Sequence, residues 1–273
     1  MTTLSLHEDV RLGKQAARHT PRDLKFSTYV DTEKVALELP RSFGFDHVLA
    51  PDAWGMLGND NWGDCVFAGA CHETEVLTGR GATYNKPAPF TDDQALAAYS
   101  AVTGFDPSKG APGRNPTDQG TVVADAMSYR RHTGIADANG DVHKILAYLS
   151  LTPGDIQQVW QALYLFEAVG IGIEFPQSAM DQFNNGEPWQ VVQGSQIEGG
   201  HYIPVLSRQG DDHAGRGLMR VVTWGRLQSV TDRFYRQYCD EAWCYVTEDA
   251  IKRNGTSNRG FDLATLQKDL AAL

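Results

Sequence analysis

Asn59-Asp60-Asn61-Trp62-Gly63-Asp64-Cys65-Val66-Phe67-Ala68-Gly69-Ala70-Cys71 sets a polar, glycine-containing turn directly against an apolar run. The run reads as a helix from about Asp64 to Thr78, stopped by Gly79 and Gly81. Cys65 then falls in the first helical turn, where free backbone N–H groups and the helix dipole favour a thiolate. A cysteine presented in this way is a candidate nucleophile. It requires a base, an oxyanion donor and a fold that brings the three together.

The chain has 273 residues, enough to bury a full core as one large domain or two closely packed lobes. Its formal net charge of -10 opposes phosphate backbones and anionic membrane surfaces, and no Lys/Arg run is interleaved with aromatics. Neither nucleic acid nor a membrane is an expected partner. The four cysteines (Cys65, Cys71, Cys239, Cys244) are too sparse for a disulfide framework and form no CxxC pair, so no metal and no cofactor is expected. The start, Met1 to Asp9, has no basic opening and no apolar core of a signal peptide, and no later apolar run is long enough to span a bilayer. The expected location is the cytoplasm.

Outward from the Cys65 turn, residues 1–38 are polar and mixed in charge and read as an N-terminal extension that wraps the surface. Thr91-Asp92-Asp93-Gln94 is a capping box opening a second helix, and Thr121 to His132 reads as a third that ends near Gly134. The first half is therefore expected to be helical. After Thr152-Pro153-Gly154-Asp155, where Thr152 can cap and Asp155 takes the capping-box position, Ile156, Val159, Trp160 and Leu163 recur at helical spacing. A β-rich run from Ala168 to Phe175 follows, closed by Pro176, with further strands expected at Tyr202 to Ser207, Leu218 to Trp224 and Trp243 to Thr247. Helices first and strands second make an α+β plan. Leu263, Leu266 and Leu270 give residues 251–273 one apolar stripe, that of a helical tail docked on its own domain.

Among eight histidines, His201 stands out because Glu198-Gly199-Gly200-His201 puts it at the start of a strand, after glycines that leave room beside the ring. In order and content, the stretch from Leu39 to Thr247 resembles the papain-like cysteine peptidases. Leu39-Pro40-Arg41-Ser42 opens it, and Asn59 stands six residues before Cys65, where that family has an oxyanion-binding glutamine. Cys65 matches the nucleophile, Asp118-Gln119-Gly120 resembles the entry to the family's next helix, and His201-Tyr202-Ile203-Pro204-Val205 matches the histidine strand. Thr223-Trp224-Gly225 matches the end of the motif that orients the histidine. The chain also resembles a group of uncharacterised bacterial and phage-encoded proteins that share the GDC, GGH and TWG segments.

Three positions depart from the papain pattern. Asn59 is one methylene shorter than glutamine yet can donate through its amide. Val222 occupies the place of the orienting asparagine, so Thr223 or another residue must take that role. Strand alternation allows only one of Val222 and Thr223 to face the site. Finally, Asp232 to Glu241 looks helical where the family continues in strand.

The resemblance implies a papain-like fold over residues 39–250, with a helical lobe carrying the nucleophile helix against a strand-rich antiparallel lobe. It implies a cysteine hydrolase that cleaves peptide or amide bonds, with peptide or protein as substrate. Cys65 and His201 would form the reactive pair, Asn59 the oxyanion hole and Thr223 the orienter, while Trp62, Gly63, Gly200 and Trp224 would line or shield the cleft. The alternative is a catalytically inactive papain-fold structural or binding protein, such as a phage virion component with a protein assembly partner. Two other signals are set aside. Cys71 lies about 240° around the helix from Cys65, which argues against a resolving role, and His72 lies about 10 Å along the axis, beyond proton-transfer reach. The Asp137, Asn139, Asp141 spacing of a calcium loop fails at Val142 and Tyr148.

Overall fold

A computed structural model describes residues 10–80, 86–211, 217–254 and 260–272. Two short helices open it, α1 (Phe26–Tyr29) and α2 (Thr32–Glu38), followed by the two-residue strand β1 (Phe43–Gly44). The first lobe contains α3 (Cys65–Gly79), α4 (Asp92–Thr103), α5 (Val123–His132) and the small hairpin β2 (Ile135–Ala136) and β3 (Val142–His143). Strand β4 (Ala147–Leu151) and helix α6 (Ile156–Phe166) lead into β5 (Val169–Pro176), α7 (Gln177–Asn184), β6 (Ile197–Asp211), β7 (Gly217–Thr223) and β8 (Arg226–Thr231). The chain ends with α8 (Asp232–Tyr238), β9 (Cys239–Val246), α9 (Glu248–Asn254) and α10 (Leu263–Leu270).

The main sheet runs β4-β9-β5-β6-β7-β8, with β1 also paired to β6, and every pairing in it is antiparallel. Strand β5 is buried along its length except at Glu174, because α3 and α6 both pack on it. That double cover explains why it reads as a continuous apolar run rather than an alternating one. Helix α3 carries buried residues on all sides from Cys65 to Thr78, since it lies between the sheet and the other helices of its lobe. Its approach to the sheet depends on Gly69. A Cβ there would lie 2.7 Å from Cδ1 of Tyr202 on β6, and Gly69 is one turn from Cys65 on the same face.

The α+β plan of the sequence is the one observed, with three differences of detail. The first half is not purely helical, for β4 lies within it and pairs with β9 across a distant part of the chain. Helix α6 starts at Ile156 with Asp155 as its cap, accepting from the N–H groups of Gln157 and Gln158, rather than at Thr152. The segment before Leu39 does not merely wrap the surface. Phe26, Tyr29, Val30 and Val35 are buried, Phe26 meeting Phe166 edge-on while Phe261 covers Phe166 from the C-terminal side.

Candidate active site

The turn before α3 is tight, with Leu57 and Gly58 both in the left-handed region (φ 55° and 91°). It delivers Cys65 to the first position of α3, whose first intrahelical bonds run from Phe67 and Ala68 to the Asp64 carbonyl. The Cys65 backbone N–H is thus among those a helix start leaves free. Asp64 does not face solvent or cap the helix, as its place beside a nucleophile would suggest. It is fully buried, makes no capping bond, and burial holds its carboxyl well above the usual range.

His201 is fully buried on β6, paired with Ile173 of β5. Its Nε2 lies 2.7 Å from Oγ1 of Thr223. The turn between β7 and β8 explains why Thr223 and not Val222 faces the ring. Thr223 pairs with Arg226, and Trp224 and Gly225 between them both have positive φ (46° and 71°), the geometry of a tight two-residue hairpin turn. Val222 points the other way, into the core. The same turn stacks Trp224 on the imidazole, centroids 4.4 Å apart and planes 19° from parallel, with Phe175 edge-on from β5. His201 Nδ1 has no hydrogen-bond partner among the described residues. The backbone of Tyr202, the next residue, acts on the Cys65 thiol, so the histidine strand and the cysteine helix meet at this point.

The groove between the lobes is occupied by the chain itself. Residues 11–15 run through it as an extended strap. The N–H of Arg11 donates to the Asn59 carbonyl (2.9 Å), and Asn59 Nδ2 donates back to the Arg11 carbonyl (3.1 Å) and to that of Trp62 (2.9 Å). Trp224 Nε1 also reaches the Arg11 carbonyl, at 3.3 Å. Further along, Thr121 N–H donates to Gly13, Lys14 N–H to Gly200 and Gln15 N–H to Thr121 (2.7, 3.0 and 2.9 Å). The strap therefore bridges both lobes by backbone pairing. Glycines make the approach possible, since a Cβ on Gly13 would sit 1.8 Å from the Gly63 carbonyl oxygen and one on Gly200 would sit 2.3 Å from that of Lys14.

Burial under this strap sets the charge state of the pair. The Cys65 thiol is pushed up to about 12 by loss of solvent, only partly offset by the backbone of Tyr202 and Gly13, and His201 is pushed down to about 3 by burial. With the strap seated, both groups are neutral at pH 7, a thiol and an imidazole rather than a thiolate–imidazolium pair.

Of the remaining sequence-predicted residues, Gly63 and Gly200 line the groove against the strap. Trp62 turns toward Phe105 of the helical lobe, ring centroids 4.9 Å apart. Asp118 accepts the N–H of Gly63 and the hydroxyl of Tyr99, which fixes the groove's helical wall. The segment expected to be helical to Glu241 is helical only through Tyr238, and Cys239 to Glu241 already belong to β9 beside the groove. A larger cavity of about 600 Å³ is lined by Leu77, Arg130, His143 and Lys144 and contains neither Cys65 nor His201. No group of three His, Cys, Asp or Glu side chains arranged to hold a metal occurs among the described residues, and none of their helices is long and apolar enough to cross a membrane.

Two features escape a reading of the sequence. Lys14, a single lysine in a polar stretch, places its Nζ 2.6 Å from Asp240 and 3.2 Å from Glu241, and nothing local signals that pairing. Between the lobes, Glu73 is fully buried and accepts from Arg130 (2.5 Å) and from the hydroxyl of Tyr202 (2.7 Å), tying α3 to α5 and β6. Its only sequence signal is a carboxylate eight residues after Cys65, on the same face of an apolar helix.

No protein-family model matches the sequence, and no curated protein matches it. Solved structures do. Xylellain, a cysteine protease from Xylella fastidiosa, is similar with a TM-score of 0.64 at 14% identity over 88% of this chain and 97% of that one. The proform of the ragweed pollen cysteine protease Amb a 11 gives 0.59 at 15% identity, over 91% and 79% of the two chains. Procathepsin B S9 from Trypanosoma congolense gives 0.59 at 11% identity, over 91% and 89%. At such identities the likeness is one of fold, and the fold of this chain is that of the papain-like cysteine proteases.

Proposed function

We propose that the chain is a papain-like cysteine hydrolase of peptide or amide bonds, held in a self-blocked state by residues 11–15. The observation that carries this reading is the histidine: Nε2 anchored on Thr223, one face covered by Trp224, and Nδ1 left without a partner on the strand that meets the Cys65 helix start. A base needs that arrangement, with one nitrogen fixed and the other free. Once the strap leaves, water returns to the site and the cost of charging the pair falls. His201 then takes the Cys65 proton, and the thiolate attacks the acyl carbon. The oxyanion is received by the Cys65 backbone N–H and Asn59 Nδ2, the amide that now holds the Arg11 carbonyl. His201 returns the proton to the leaving amine, and water hydrolyses the acyl-enzyme.

The strap carbonyl held by Asn59 is that of Arg11, while the Gly13 carbonyl accepts the Thr121 N–H. The competing reading, an inactive papain-fold structural or binding protein in a virion assembly, draws on Val222 and on the altered stretch after Trp224. Thr223 offers the hydrogen bond that Val222 lacks, whereas the helix Asp232–Tyr238 and the filled groove still support that reading. Full-length protein carrying Gly13→Val with Lys14→Glu, which cannot seat the strap, separates the two. Under the hydrolase reading a thiol-directed electrophile labels Cys65 much faster in this variant than in the wild type, His201→Ala removes the gain, and casein is cut. Slow labelling of all four cysteines in the unblocked variant, with casein intact, would rule the hydrolase out.

A further inference from the structure

The Lys14 side chain is 1% exposed and lies in a slot between β5 and β9. Gly172 forms its wall, where a Cβ would sit 2.1 Å from Lys14 Cε. At the end of the slot Nζ meets Asp240 Oδ2 at 2.6 Å and Glu241 Oε1 at 3.2 Å. Glu241 is fully buried and is held by Trp243 Nε1 on its other oxygen (2.9 Å), so its orientation belongs to the fold and not to the strap. Asp240 Oδ1 accepts no hydrogen bond, and Glu241 Oε1 has only the Lys14 ammonium beside it. The slot therefore has acceptors to spare for a donor richer than an ammonium, such as a guanidinium.

Glu241 is dry and Asp240, 27% exposed, stands beside it, so a cation between them offsets a buried charge that is strongly destabilising when uncompensated. The backbone on either side of the slot is also general in what it recognises. The Gly200 carbonyl and Thr121 pair with main chain, and any extended peptide can offer them main chain. We infer that the slot formed by Gly172, Asp240 and Glu241 is a substrate subsite selecting a lysine or arginine side chain near the bond to be cut, and that Lys14 occupies it as a stand-in for that residue. The inference rests on the hydrolase reading for the word substrate, while the recognition of a basic peptide stands without it.

The test uses the full-length Gly13→Val, Lys14→Glu protein, its fold checked by a cooperative thermal transition. The probe is a fluorescein-labelled peptide with the sequence of residues 10–18, Val-Arg-Leu-Gly-Lys-Gln-Ala-Ala-Arg, alongside a version with norleucine at the place of Lys14. The lysine peptide should bind about tenfold tighter or better than the norleucine peptide, and Asp240→Asn with Glu241→Gln should remove the difference. Equal binding of the two peptides, or binding of neither, overturns the subsite. Digestion of a peptide library by the same protein then separates the two proposals. Cleavage products should carry Lys or Arg at one fixed position from the cut. Cleavage without that enrichment overturns the subsite and leaves the hydrolase standing, whereas selective binding with no cleavage leaves the basic-peptide slot standing and removes the hydrolase.

Discussion

Acid should destabilise the blocked form through His201, and the size of the effect can be worked out. The ring is fully buried, and its pKa falls from 6.5 to about 3 because burial, with Phe175 and Trp224 packed on it, excludes water. Between those two values the unfolded chain binds a proton that the native chain refuses, so stability is complete above the unfolded pKa and is lost as pH falls through the window. From pH 7 to about pH 4.5 the loss attributable to this one residue is about 2.5 kcal/mol by linkage. Other groups titrate in the same range, so the quantity to measure is a difference. Urea denaturation of the wild type and of His201→Gln at both pH values isolates it, the wild type losing about 2.5 kcal/mol more. The imidazole resonances offer a direct check. His201 should remain unprotonated to well below pH 5 in the wild type and titrate closer to its ordinary value in the strap-displaced protein. Equal pH dependence in the two proteins, or a wild-type His201 that titrates near 6.5, would refute the claim that the strap keeps the ring dry and neutral.

Thr223→Val keeps the shape of the side chain but leaves Nε2 of His201 without a partner, which should cost about 1–3 kcal/mol in urea denaturation. In the unblocked protein it should also lower kcat with little change in KM, while Thr223→Ser restores it. Glu73→Ala strands the Arg130 guanidinium between the lobes and should destabilise the fold by about 3–5 kcal/mol. Pairing it with Arg130→Met should recover part of that loss in thermal unfolding, and failure to recover any would mean that the two residues are not coupled.

The sequence carried the parts of the site whose signals are local. A polar turn against an apolar run marks the helix start at Cys65, and a double glycine before an apolar strand marks His201. Strand alternation already allowed only one of Val222 and Thr223 to face the site. The decision between them needed the left-handed turn at Trp224-Gly225, which only the paired register of β7 and β8 makes visible. Strand β8 was not legible because its polar positions, Arg226, Gln228 and Ser229, suit an edge strand and give little apolar signal. The Lys14 pairing lies further out of reach. Its partner Asp240 is 226 residues away, and no periodicity or propensity links a lysine in a polar stretch to a β9 carboxylate. Asp64 was expected to face solvent or cap the helix because an inward carboxylate would oppose a thiolate at Cys65, yet the side chain is fully buried and makes no capping bond.

One short segment controls three properties that are usually treated separately: access to the groove, the charge state of the pair and the filling of the acidic slot. Each follows from the same exclusion of water. The strap covers Cys65 and His201, which makes ionising either one costly. It also delivers an ammonium to Glu241, whose carboxyl is raised by burial while Lys14 opposes the rise. Removing the strap reverses the first two effects in the direction that favours reaction and leaves the third as a vacancy for a cation. A competitor that brings its own lysine or arginine relieves the deficit, and one that brings an aliphatic side chain does not. Reactivity of the thiol and demand for a basic ligand should consequently appear together in any variant that unseats Gly13. A variant in which they separate would show that the strap and the slot are energetically independent.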